Sequence, residues 1–211
     1  MEWDQAEDVE LLQAWRGGDQ RAGNTLLRRY FDSLYRFFAA KVEDEVEDLI
    51  QRTFLALVES RGRFRGESSF RTFLFAVAHN ILGRHYRSKR RGGEHLDFGA
   101  VSVSDLGPTP TALLARRDEE KALLAALRRI PIEHQVILEL YFWERMKAAE
   151  IAAIMERPEG TIRTRIRRAK QLLEGAMLEI GASREVIEST ISGLDRWAAQ
   201  VREHLLEEEA S

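Results

Sequence analysis

Apolar residues recur at helical spacing along most of the chain, and no stretch alternates apolar and polar residues as a half-buried strand would. That pattern confines the chain to an all-α fold. The spacing predicts a first helix over about Asp8–Arg16, closed by Gly17 and Gly18. A second runs over about Gln20–Ala40 with Leu26, Leu27, Tyr30, Leu34, Phe37 and Phe38 on one side, and a third over about Asp44–Ser60 with Leu49, Phe54, Leu55 and Val58. After the loop at 61–69, Ser68 or Ser69 can cap a fourth helix that continues to about Arg90. The period then vanishes through Gly92, Gly93, Gly99, Gly107, Pro108 and Pro110. Helices resume near Thr111, stop before Pro131, and run again from Ile132 to about Trp143. The expected organisation is two small helical domains, 1–92 and 111–180, joined by a flexible linker over 93–110 and followed by a helical extension over 181–211.

A net charge of −3 argues against a polyanionic partner only if it is evenly spread, and it is not. From Arg61 to Arg91 nine basic residues face the single acid Glu67, and from Arg157 to Lys170 six face Glu159. The bland account of a charge run is a solvated helix face. Runs of nearly one sign repel themselves unless a partner such as a phosphate backbone neutralises them, so two basic islands predict two contacts with nucleic acid. The chain has no cysteine, which excludes a disulfide framework and thiolate metal sites. It has no long apolar run, and its N-terminus is acidic where a signal peptide is basic, so a cytoplasmic protein without membrane insertion is expected.

The segment Ala148–Leu173 has the marks of a helix-turn-helix. Its first helix, Lys147–Met155, turns Ile151, Ile154 and Met155 inward and offers the small Ala152 at the crossing point. Pro158 suits the start of the second helix, because its missing N–H is one that a helix terminus leaves unpaired anyway. Thr161 follows in the first turn, placed to cap the helix or to touch a phosphate. Ile162, Ile166, Ala169 and Leu173 define the buried stripe, which leaves Arg163, Thr164, Arg167, Arg168 and Gln171 on the opposite face. Arginine forks pair with guanine edges and threonine with bases or a thymine methyl, so this face suits reading in the major groove. Arg165 and Lys170 flank it and are expected to grip phosphates. An ordinary amphipathic helix pair with a basic outer face is the competing account.

With these residues in view, the chain resembles the extracytoplasmic-function (ECF) class of bacterial RNA polymerase sigma factors. Ile130-Pro-Ile-Glu-His-Gln-Val-Ile-Leu-Glu-Leu, Ala149-Glu-Ile-Ala and Pro158-Glu-Gly-Thr-Ile-Arg-Thr-Arg-Ile-Arg-Arg-Ala follow that family's region four. Asp48-Leu-Ile-Gln-Arg-Thr-Phe-Leu-Ala-Leu and Phe70-Arg-Thr-Phe-Leu-Phe-Ala-Val-Ala-His-Asn follow its region two. The resemblance implies a transcription initiation factor whose region two binds a coiled coil on the largest subunit of core RNA polymerase, through Asp48, Gln51, Arg52 and Phe54, with a further contact at the polymerase flap. It also implies that region two opens the minus-ten promoter element. Phe64, Arg65, Ser68, Ser69 and Asn80 correspond to a pocket for an extruded base, and Arg84, Arg87, Lys89, Arg90 and Arg91 to a grip on the backbone. Region four reads the minus-thirty-five element through Thr161, Arg163, Thr164, Arg165, Arg167, Arg168 and Lys170. An anti-sigma factor is a further implied partner.

The chain departs from the family pattern at several positions. Phe73 stands where tryptophan is usual, Arg52 where an acid is common, and Arg145, Glu156 and Arg157 where glycine, glycine and an apolar residue are usual. Lys147 replaces a hydroxyl cap. These changes predict a looser turn or an altered specificity. Beyond Gly181, Val186, Ile187, Thr190, Ile191, Leu194, Trp197, Ala198, Val201 and Leu205 form an amphipathic stripe, expected either to pack on the protein's own helical domains and tune promoter binding, replacing or assisting an anti-sigma factor, or to be an extra helix that merely extends the core.

No enzyme, cofactor or metal site is expected. His79 and His85 are six apart and so face different sides of a helix, His95 and His134 are distant, and neither Ser68 nor Ser69 sits in a glycine-framed nucleophile turn. The main alternative is a stand-alone helix-turn-helix regulator. A two-domain regulator of that kind carries an alternating strand-and-helix first domain, whereas this one reads as wholly helical. A protein-interaction module, such as an anti-sigma factor, accounts for the helices but not for the two basic islands.

Overall fold

A computed structural model describes residues 3, 5–42, 45–64, 66, 68–89, 99–105 and 118–195. They fall into two compact units, one taking residues 1–38, 44–94 and 153–156, the other 39–43, 95–152 and 157–211. The first unit is built from α1 (Asp8–Arg16), α2 (Gln20–Arg29), α3 (Phe31–Ala39, to Phe38), α4 (Val46–Ser60) and α5 (Phe70–Lys89). Helix α1 opens with a capping box, in which the Glu7 N–H donates to Glu10 at 3.1 Å, and α2 opens on Asp19, which accepts from the N–H groups of Arg21 and Ala22. The chain between them turns at Gly18, where φ is +103°.

The single helix expected over 20–40 is two helices, broken at Tyr30. The cause is tertiary. The Tyr30 hydroxyl donates to Asp8, whose other oxygen accepts from Arg29 at 2.5 Å, so the junction is tied to the start of α1. Burial, with the bond to Asp8, holds the phenol above its usual range. Trp15 lies flat against α2 at Gly23, where an added Cβ would sit 2.4 Å from the indole. Leu11, Leu26, Leu34, Leu49, Leu57, Leu74 and Leu82 complete the core, with Phe37 edge-on to both Phe38 and Phe75.

The second unit contains α6 (Asp118–Arg129), α7 (Ile132–Leu138), a π-helical turn at Glu139–Trp143, α8 (Ala148–Met155), α9 (Glu159–Glu179) and α10 (Arg184–Ser192); residues 153–156 of α8 and the turn after it group with the first unit. Its core joins Leu123, Leu127 and Ile130 to Phe142, Trp143, Leu173 and Met177. Part of the segment read as linker is ordered into this unit: Ile132 N–H donates to Val101 O at 2.9 Å, Ser102 bridges Pro131, and Val103 is buried. The helix expected to begin near Thr111 is described only from Asp118, and the earlier residues lie outside the described set.

Residues 39–43 also belong to this unit. Lys41, wholly buried, pairs with Glu139, and Gln135 Nε2 donates to the other Glu139 oxygen at 2.9 Å. Burial pushes the ammonium down and the carboxyl up, and their pairing opposes both shifts.

The described part of the extension packs on the core of the second unit. Ser183 caps α10 by accepting from the Val186 N–H at 3.3 Å, and Ile187 and Leu194 are buried in the core with Val186 and Ile191 against it. Trp197, Ala198, Val201 and Leu205 lie outside the described residues.

Candidate nucleic-acid interface

The helix-turn-helix begins at α8, where the Lys147 N–H donates to Glu150 Oε2 at 2.8 Å. This is one half of a capping box: the Glu150 carboxylate satisfies the Lys147 N–H, while the Glu150 N–H, which a hydroxyl at 147 would take, donates to Lys147 O at 3.0 Å. The turn after α8 is closed by the Arg157 N–H to Ala152 O at 3.0 Å, with Glu156 in the left-handed region at φ +52°. The turn thus keeps a closing hydrogen bond with glutamate in place of the expected glycine. Glu156 takes the glycine conformation at the usual cost for an L-residue. Arg145, at φ +50°, does the same before α8.

Pro158 is the N-cap of α9, which begins at Glu159, and its carbonyl accepts from Thr161 and Ile162. Thr161 is consequently the third residue inside the helix, not its cap. Ile162, Ile166, Ala169 and Leu173 are buried, and Arg163, Thr164, Arg167, Arg168 and Gln171 are exposed on the other side. Arg163 donates through Nε and Nη2 to one oxygen of Glu159, at 3.0 and 2.6 Å, on the exposed start of the helix. The Thr164 hydroxyl donates back to Gly160 O at 3.1 Å.

The two residues read as flanking phosphate grips are engaged within their own unit. Arg165 forms an ion pair with Glu133 of α7, and Lys170 Nζ sits 4.7 Å above the Phe142 ring. Beside Arg168 stands the half-buried His134, which burial, and then the nearby guanidinium, push below the usual histidine range.

In the first unit Asp48 and Arg52 form an ion pair at 2.8 Å on α4, Gln51 is exposed and Phe54 half-buried. Helical spacing puts Asp48, Gln51, Arg52 and Leu55 on one face. Leu55 is 59% exposed, a large apolar residue on that otherwise polar face, and its exposure was not expected from the sequence. Its place in an apolar helical run looked like core. Phe64 packs against Phe73 with ring centroids 4.9 Å apart, so phenylalanine fills an aromatic position there. Of the two candidate caps, Ser69 is the one used, accepting from the Thr72 N–H at 3.1 Å, while Ser68 stays exposed. Asn80, Arg84 and Arg87 are exposed along one side of α5. Arg65, Arg90, Arg91 and the side chain of Lys89 lie outside the described residues.

The family model for Sigma-70 region 2 matches residues 25–92 and that for Sigma-70, region 4 matches residues 120–173, which together take more than half of the chain. The chain belongs to the sigma-70 family, in its extracytoplasmic-function class. Similar curated proteins include the RNA polymerase sigma-H factor of Pseudomonas aeruginosa, 29% identical over 185 residues that cover 82% of this chain and 95% of that protein. The ECF RNA polymerase sigma-E factor of Haemophilus influenzae is 27% identical over 180 residues, covering 81% and 95%. Among solved structures, CnrH in complex with the cytosolic domain of CnrY superposes with a TM-score of 0.60 at 24% identity, over 83% of this chain and 99% of that one. RpoE in complex with the anti-sigma factor NepR from Bartonella quintana gives 0.56 at 21%, over 74% and 95%. At those identities the structures speak for the fold.

This sigma factor is thus a promoter-specific transcription initiation factor for RNA polymerase. Arg145 and Glu156, the two positions where the resemblance leads one to expect glycine, are the two non-glycine residues with positive φ among the described residues. No cluster of potential metal ligands occurs among the described residues, and no described helix is long and apolar enough to cross a membrane.

Proposed function

We propose that the sigma factor grips its promoter at two places, with α9 in the major groove of the minus-thirty-five element and the α4–α5 region at the minus-ten element. The observation that carries this reading is the division of α9: a continuous buried stripe on one side fixes its orientation, and Arg163, Thr164, Arg167 and Arg168 stand exposed on the other. Arg165 and Lys170, held by Glu133 and Phe142, brace the helix instead of gripping phosphates. Phe64 and Asn80 face an unstacked base, with Arg84 and Arg87 on the backbone beside it.

Asp48, Gln51, Arg52 and Phe54 dock on the coiled coil of the polymerase's largest subunit, with Leu55 as the apolar anchor at the centre of the contact. The factor works in the cytoplasm, carries out no bond chemistry itself, and is held in check by an anti-sigma factor, as the partner named with the Bartonella protein suggests. Co-purification with core polymerase followed by promoter-dependent run-off transcription tests the reading. A protein that binds the DNA without binding core is a stand-alone regulator.

Within that test, Arg167→Ala or Arg168→Ala should relax base preference at one position of the upstream element, at a cost of about 1–3 kcal/mol if the contact is bidentate. A loss that is uniform across sequences marks a phosphate contact.

A further inference from the structure

Glu159 is the one acid in the basic island from Arg157 to Lys170, and it stands at the very end of α9 that a major-groove helix points at base edges. A carboxylate there is repelled by every phosphate it approaches. It is tolerated in a DNA-facing position where it meets hydrogen-bond donors, and the donors in the major groove are the exocyclic amines of cytosine and adenine. The carboxylate is already half committed. Oε1 takes both Nε and Nη2 of Arg163, at 3.0 and 2.6 Å, which leaves Oε2 as an acceptor and the outer edge of the guanidinium as a donor fork. An acceptor locked beside an arginine fork matches a cytosine amine beside the O6 and N7 of a guanine. Because the arginine is held before DNA arrives, less side-chain freedom is lost on binding.

A second feature lies between the two residues. Gly160 is helical and exposed, and a Cβ added there would meet nothing within 4 Å, so no contact among the described residues asks for a glycine. Glycine weakens a helix relative to alanine, and its use lets an outside surface come close to the backbone. Gly175, also on α9, is equally open. Openness alone does not separate the two glycines; the charged fork next to Gly160 does, and Gly175 serves as the internal control.

We propose that Glu159 is a specificity-determining residue: with the Arg163 fork it holds, it reads a cytosine beside a guanine in the upstream promoter element, and Gly160 supplies the clearance that lets the duplex reach them. This rests on the reading of α9 as the base-reading helix. The competing account is an ordinary surface pair one helical turn apart, which steadies the helix and reads nothing.

The test uses the full-length chain assembled with core RNA polymerase and a pool of promoters randomised through the upstream element, with the bound fraction sequenced. The unaltered protein should enrich cytosine at one position next to a guanine. Glu159→Ala should lower that cytosine preference by about 5- to 150-fold while leaving the other positions as they were. Glu159→Gln should move the preference toward adenine, the base whose edge pairs with a side-chain amide. Gly160→Ala should weaken binding to every sequence although its melting temperature does not fall, and Gly175→Ala should leave binding unchanged. If Glu159→Ala keeps every base preference, or tightens binding to all sequences equally, Glu159 is only a helix-surface partner and the inference is overturned. If Arg167→Ala and Arg168→Ala also leave selectivity untouched, the underlying assignment of α9 fails with it. Changed selectivity in the arginine variants but not in the glutamate ones overturns this inference alone.

Discussion

Replacing Glu156 with glycine should stabilise the sigma factor, against the general tendency of substitutions to destabilise. Glu156 is exposed and occupies the left-handed region at φ +52°, where its Cβ crowds the backbone. The penalty for an L-residue in that region is about 1–2 kcal/mol. Glycine removes it but brings a more flexible unfolded chain, which takes back roughly 0.5–1 kcal/mol. The balance is a gain of about 0.5–1 kcal/mol, since the hydrogen bond that closes the turn, Arg157 N–H to Ala152 O, involves no atom of the Glu156 side chain. In a chain of this size that raises Tm by about 1–4 °C. Thermal and urea unfolding of the full-length protein measure it. Glu156→Ala is the control, because alanine keeps the left-handed penalty while removing the carboxylate, and it should not show the gain. A glycine variant that melts at or below the unaltered protein, or an alanine variant that gains as much, refutes the argument from backbone strain.

Other perturbations follow from the packing and the charges. Gly23→Ala forces a Cβ to within 2.4 Å of the Trp15 indole, so urea unfolding should show a loss of about 1–3 kcal/mol from overpacking. Deleting residues 182–211 removes Ile187 and Leu194 from the core; their burial contributes about 1.5–3 kcal/mol each, offset in part by the ordering of α10, so calorimetry should show a clear fall in Tm, and unchanged stability together with unchanged transcription sinks the role given to the extension. His134 has its folded pKa below the ordinary histidine value, so the unfolded chain takes up its proton first as pH falls. The stability that the neutral ring supplies is complete above about pH 6.5 and is lost as pH drops toward the lowered folded value, and His134→Gln should flatten that part of the stability profile.

What could be read in advance was whatever depends on local spacing. The stripe Ile162, Ile166, Ala169 and Leu173 is buried as its steps imply, and Val186, Ile187, Ile191 and Leu194 pack as an amphipathic helix must. The Glu159–Arg163 pair, one helical turn apart, follows from the same rule of local spacing. Contacts between distant parts of the chain were not readable. Tyr30 breaks a helix because Asp8 draws its hydroxyl away, and Arg165 turns inward because Glu133 of another helix awaits it. Val103, in a stretch whose glycines and prolines looked like pure tether, is buried because Val101 and Ser102 pair with Ile132 and Pro131. Leu55 shows the opposite error, an apolar residue at helical spacing that no core claims.

In the proposed mechanism the exposed face of α9 reads promoter sequence on behalf of RNA polymerase. Run-off transcription by core polymerase, with and without the full-length chain, on a promoter selected from a randomised pool and on the same promoter with its upstream element scrambled, tests it most directly. The expected transcript requires the chain, falls when the upstream element is scrambled, and loses that dependence in Arg167→Ala or Arg168→Ala. A transcript indifferent to the chain, or a chain that binds the promoter yet never associates with core, contradicts it.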